Sequence, residues 1–161
     1  MNSHQVKSLR AVMGVALVAT ALLCVQASAA TPVAEYLFSN NTNDTSGNAL
    51  NGTPVGAPTF VADRFGVANS AINLDGLAQR VTVSDNALLR ITGNLSISTW
   101  FKVGDVARNV SDRLVSKRNN FGDNQGYELE YNNNANRIAA NTAGSVQLFV
   151  TGFDFDLNWH H

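Results

Sequence analysis

Cysteine is almost missing from this chain. Its one residue, Cys24, sits in an N-terminal apolar run, so no disulfide can staple the polypeptide that follows. Histidine is nearly as scarce: beyond His4 there are only His160 and His161. No Ser-His-Asp or Cys-His arrangement can be assembled around that pair. Neighbouring strand residues project to opposite faces, so the two do not make a zinc clamp without further ligands. Helical periodicity is lacking too. Beyond residue 30 no window of about 11 residues keeps it, and Ser84 to Ile91 offers a single turn at most. Internal repeats, heptads and Pro-rich linkers are also absent.

The one long apolar run explains the N-terminus. Met1 to Arg10 carries Lys7 and Arg10 without an acid, Ala11 to Val25 is mostly apolar, and Ala27-Ser28-Ala29 supplies the small residues of a cleavage site. The run is shorter than the roughly 20 residues that span a bilayer, so residues 1–30 are expected to be a cleaved signal peptide, with no membrane insertion afterwards. A lipid anchor on Cys24 would want a small residue before it, where Leu23 stands. The 161 residues less these 30 leave 131, enough for one domain with one core. Lys7 and Arg10 leave with the signal, so 9 basic residues face 12 acidic ones, a net charge of −3. Such a surface has no footprint for nucleic acid or anionic lipid. Export to the periplasm, the cell surface or the medium is implied.

What remains reads as strands. "VAEYLF" (33–38), "AINLD" (71–75), "RVTV" (80–83), "LSISTWFKV" (95–103), "RLVSK" (113–117), "GYELEY" (126–131), "NRIAA" (136–140) and "VQLFV" (146–150) are rich in β-branched and aromatic residues. Between them stand turn-forming stretches such as "SGN", "DG", "FGDN" and "NNNAN". In the clearest segment Leu95, Ile97, Thr99, Phe101 and Val103 point one way and Ser96, Ser98, Trp100 and Lys102 the other, which predicts a central strand of a β-sandwich. "FDFDLNWHH" (153–161) alternates in the same manner. The pattern predicts an all-β, antiparallel fold.

Three clusters could carry chemistry. Glu128 and Glu130 share one strand face with Cβ atoms ~7 Å apart, near the ~5 to 5.5 Å carboxyl spacing of a retaining glycosidase. The competing reading is a solvent face, with Tyr127, Leu129 and Tyr131 turned inward. "NNTNDTSGN" (40–48) offers oxygens for calcium, with Asn43, Asp44 and Asn48 as candidate ligands and Asn73 and Asp75 as a second group; the competing reading is an ion-free Asx turn. An EF-hand is excluded, because Ser46 and Gly52 stand where it needs glycine and glutamate. Trp100, Tyr127 and Tyr131 are candidate sugar-stacking aromatics, or else core. Five N-x-[ST] sequons, at Asn40, Asn43, Asn51, Asn94 and Asn109, do not establish glycosylation in a chain this rich in asparagine, serine and threonine.

Taken in order, "YLFSNNTNDTSGNALNGTPVG", "DRFGVANSAINLDG", "VTVSDNALLRITGNLSISTWFK", "LVSKRN", "GYELEY" and "NWHH" resemble the laminin-G-like jelly roll of the concanavalin A-like lectin and glucanase superfamily. Asp44, Ser46, Gly47, Asn48 and Gly52 match its D-x-S-G-N-x-x-x-G turn, and Ala71, Asp75 and Gly76 match its G-x-A-x-x-F-D-G block, with Leu74 in place of phenylalanine. Ile97, Ser98, Trp100 and Lys102 match I-S-x-W-x-K. The resemblance implies a secreted, non-catalytic recognition module for extracellular carbohydrate or a protein ligand, with calcium as a potential cofactor. The glucan-hydrolysing branch looks like E-x-D-x-x-E, whereas this chain has Glu130 and Asn133 where that pattern has its aspartate and second glutamate. A glycan-cleaving enzyme using Glu128 and Glu130 and a purely adhesive domain are the alternatives. In the family W-H-H-V opens a strand that others follow, so residues 31–161 are expected to be a partial domain, with His160 and His161 as ordinary strand residues. Made alone, such a product is expected to be marginal or aggregation-prone, with apolar residues of 146–150 and 153–159 uncovered.

Overall fold

The computed structural model describes residues 31–106, 111–118, 126–142, 147–153 and 155–161. The expected signal peptide, residues 1–30, and the "FGDN" turn lie outside them. In chain order the strands are β1 (Gly52–Val55), β2 (Thr59–Val61), β3 (Ala71–Asn73), β4 (Arg80–Val83), β5 (Phe101–Lys102), β6 (Ser111–Lys117), β7 (Tyr127–Asn132), β8 (Arg137–Thr142), β9 (Gln147–Thr151) and β10 (Trp159–His160). Every ladder is antiparallel. Among the described residues the helical content is two 3-10 turns, Ala87–Leu89 and Asn133–Ala135. The all-β expectation therefore holds for this part of the chain.

The largest sheet has the order β6-β7-β8-β9, and two-stranded ladders join β1 to β4, β2 to β3 and β5 to β10. Asparagine closes the β7–β8 hairpin. The Asn132 side chain accepts from Ala135 N–H at 3.0 Å, and Asn136 takes a left-handed φ of 45°, which asparagine tolerates better than most residues. At the other end of β7, Gly126 has a φ of +81°, and a Cβ there would collide with the Lys117 carbonyl. Only glycine meets both conditions. β6 carries a bulge between Arg113 and Val115.

Two expectations change. Residues 95–103 are not a central strand: only Phe101–Lys102 forms a ladder, and its partner is the two-residue β10. Burial nevertheless alternates from Leu95 to Val103 as the side-chain pattern predicts, because the alternation belongs to extended backbone and not to its hydrogen-bonding partner. Residues 33–38 behave alike, with Ala34, Tyr36 and Phe38 turned inward and no ladder formed. Conversely, "GTPV" and "TFV", which lie outside the segments expected to be strands, form β1 and β2. Pro54 is tolerated because β1 has a partner on one side alone, so a missing N–H can face outward.

Leu50, Ala71, Val103, Tyr127 and Ala139 are buried. An aromatic cluster packs around β5, β7 and β10: Phe101 lies 6.1 Å from Tyr131 and 5.5 Å from His160, centroid to centroid. Phe155 is 5.4 Å from Tyr131 and 4.9 Å from Phe153, which in turn reaches His160 at 5.1 Å. His160 is thus a strand residue packed among rings.

Candidate functional site

The acid-bearing face of β7 is not a solvent face. Glu128 is 2% exposed and Glu130 4% exposed, which overturns that expectation. Register places Asn141 of β8 directly opposite Glu128, and Arg113 of β6 opposite Glu130. Asn141 Nδ2 donates to Glu128 Oε1 at 2.7 Å, Arg118 Nη1 reaches the same oxygen at 3.1 Å, and Arg113 Nε meets Oε2 at 3.0 Å. Burial by itself raises the Glu128 pKa, but the Asn141 and Arg113 hydrogen bonds and the two guanidinium charges outweigh it and hold the carboxyl below its ordinary value. Glu130 accepts from Ser111 Oγ at 3.2 Å. A glycosidase acid has to keep its proton near neutral pH, which calls for a raised pKa. Glu128 is an ionised, enclosed anchor.

The exposed chemistry gathers around Trp100. The antiparallel β5–β10 register pairs His160 with Phe101, and continued by one residue it sets His161 across from Trp100. These neighbours face opposite ways: Phe101 and His160 enter the aromatic cluster, while His161 stacks on Trp100 at 5.0 Å and its Nε2 lies 2.8 Å from Ser98 Oγ. The turn before β3 adds two more members. Asp63 Oδ1 accepts from both Phe65 N–H and Val67 N–H at 2.9 Å, and Gly66 N–H returns to Asp63 O at 3.0 Å. That closed turn presents Arg64 and Phe65. The guanidinium carbon of Arg64 stands 4.2 Å from the Phe65 centroid and 4.5 Å from that of Trp100. Phe65, 74% exposed, and Trp100, 44% exposed, are the accessible rings of this platform.

The other two aromatic candidates are placed differently. Tyr127 is buried, and Tyr131 is half-buried between Phe101 and Phe155 with its hydroxyl donating to Asp112 Oδ2 at 2.9 Å, so neither offers a ring face to a ligand. Sequence reasoning found Trp100 but missed Arg64, Phe65, Ser98 and His161. The local signal was the Asp63-x-x-Gly66 turn; the link from that turn to residue 100 and from residue 98 to 161 is tertiary.

Of the candidate calcium ligands, Asp44 and Asp75 close turns, while Asn73 ends β3. Asp44 Oδ1 accepts from Glu35 N–H at 3.0 Å and Ser46 N–H at 2.9 Å, while Oδ2 accepts from Leu50 N–H at 2.9 Å and Ser46 Oγ at 2.8 Å. Partial burial works to raise the Asp44 pKa, but these four donors prevail and bring it down to about 2. Two donors on each oxygen leave no lone pair for a cation, so Asp44 does not fit a calcium ligand. Asn43 N–H donates to Asn41 Oδ1, and Asn48 Nδ2 donates to Val33 O. Asp75 Oδ1, two residues after Asn73, accepts the N–H groups of Leu77, Ala78 and Gln79. Among the described residues no group of three or more His, Cys, Asp or Glu is arranged to hold a metal. Comparison with known proteins finds no matching family model, no similar curated protein and no similar solved structure.

Proposed function

We propose that this chain is a secreted, non-catalytic recognition module of the laminin-G-like jelly-roll type, binding extracellular carbohydrate at the Trp100 platform. The observation that carries the reading is a patch of exposed rings, Phe65 and Trp100, in contact with Arg64 and His161, with Ser98 alongside. A ring face next to polar groups is what a sugar uses, its C–H face resting on the aromatic and its hydroxyls taking the hydrogen bonds. The clamp on Glu128 weighs against the glycan-cleaving alternative, since an enclosed carboxylate held ionised by two arginines has neither access to substrate nor a proton to give. With Asp44 saturated, no part of recognition is assigned to calcium. Export rests on the sequence of residues 1–30, and the jelly roll on the ordered matches to that family.

A glycan array probed with the full chain, with and without a calcium chelator, tests the proposal. Wild-type protein is expected to bind a defined set of saccharides equally in both conditions, and Trp100→Ala to lose that binding. Retention of binding by Trp100→Ala would move the site elsewhere; release of reducing sugar from β-glucans would restore the enzyme reading.

A further inference from the structure

The two edges of the four-stranded sheet are built differently. β6, at one edge, carries Asp112, Arg113 and Lys117 and the bulge between Arg113 and Val115, features that keep a strand edge from pairing with another chain. β9, at the other edge, has none of them. Gln147–Thr151 holds no charge and no proline, its ladder to β8 runs without a bulge, and the whole stretch from Ile138 to Phe153 is uncharged. Among the described residues β8 is the one strand that pairs with β9, so the outer row of its backbone N–H and C=O groups faces no strand. Leu148 and Val150 stand on the sheet face that also carries Leu129, Ile138 and Ala140, and they are 65% and 60% exposed.

We propose that the β9 edge docks a second copy of this chain, the two β9 strands running antiparallel about a two-fold axis and joining their four-stranded sheets into one. A two-fold contact sets a patch against its own copy, so every charge on it meets its like. An uncharged strand is what such a contact requires, and β9 is uncharged throughout. With the axis at Phe149 all five residues pair: Gln147 lies opposite the partner's Thr151, and Leu148 opposite the partner's Val150. Each exposed Leu148 and Val150 then meets an apolar side chain on the same sheet face. Five residues a strand make a small contact, so association in the micromolar range or weaker is expected. β9 contributes no residue to the Trp100 platform, and the inference does not rest on the carbohydrate reading.

Sedimentation velocity of the full chain between about 1 μM and about 1 mM tests it. A reversible monomer–dimer equilibrium is expected, and Leu148→Lys, which sets an ammonium on the edge, is expected to weaken it about ten-fold or more. Leu148 is exposed, so the variant is expected to melt as the parent does. Cross-linking in a Cys24→Ser background reads the register. Opposed residues have Cα atoms about 4.5–5.5 Å apart, within disulfide reach, whereas Leu148 and the partner's Leu148 would be about 8 Å apart, beyond it. Leu148→Cys and Val150→Cys are therefore expected to form a disulfide when mixed and none when oxidised separately. A wild type that stays monomeric over the whole range, or that forms polymers in place of a dimer, overturns the inference. So does a Leu148→Lys variant that dimerises as the parent does. A mixture that forms no disulfide overturns the axis at Phe149.

Discussion

Asn141 Nδ2 donates to Glu128 Oε1 at 2.7 Å, between residues that face each other directly across the β7–β8 ladder. Arg113 and Arg118 complete the shell around the same carboxylate. Desolvating a carboxylate is tolerable only when its lone pairs are taken up in this way, and removing it strands the groups that surround it. Glu128→Ala is accordingly expected to destabilise the fold by about 3 kcal/mol, and Glu128→Gln by less, since the amide keeps the shape and one acceptor oxygen. Midpoints of urea denaturation measure both; a midpoint unchanged in Glu128→Ala would show that the shell contributes nothing.

Acid should weaken the protein for a stated reason. The folded pKa of Asp44 is about 2 against an ordinary 3.8, and that of Glu128 is also lowered from its ordinary 4.5. A carboxyl whose pKa is depressed by folding contributes stability that is fully present above the unfolded pKa and is lost as pH falls through the folded one. Melting temperatures are therefore expected to hold above about pH 5 and to decline below pH 4 toward pH 2. Asp44→Asn should flatten the lower part of that decline. An identical acid profile in the variant would refute the role given to Asp44.

Gly126→Ala combines two penalties. The left-handed φ of +81° costs an L side chain roughly 1 kcal/mol, and the new methyl meets the Lys117 carbonyl, so a total of about 3 kcal/mol or failure to fold is expected. Gly47, also at positive φ but with open space around its Cβ direction, should lose only about 1 kcal/mol on the same change. Paired thermal melts of the two variants separate collision from backbone strain.

Trp100 and Phe101 are neighbours with opposite duties. Trp100→Ala removes an exposed ring and should change stability by less than about 1 kcal/mol while abolishing saccharide binding. Phe101→Ala opens the cluster with Tyr131 and His160 and should cost about 2 kcal/mol. Were the two stability effects reversed, the assignment of faces around residue 100 would be wrong.

The sequence alone determined most of the extended segments and the alternation of side chains along them. β3, β4 and β6 to β9 fall within or close to segments that β-branched and aromatic residues mark out, and the Asn132 to Asn136 turn follows from asparagine chemistry. Facing is legible even where pairing is not: burial alternates from Leu95 to Val103 although only Phe101 and Lys102 are in a ladder. Both properties are local, set by backbone geometry over a few residues. In "FDFDLNWHH" that locality also misleads, because Asp156 accepts from Asn158 N–H and turns the chain before β10 begins. Tertiary structure decided everything that depends on a partner distant in the chain. It enclosed Glu128 because Arg113, Arg118 and Asn141 converge on it, spent Asp44 on donors from Glu35 to Leu50, and brought Arg64 and His161 to the indole of Trp100. Whether a charged or aromatic side chain becomes an anchor or a contact surface depends on what covers it, and no period along the chain encodes that.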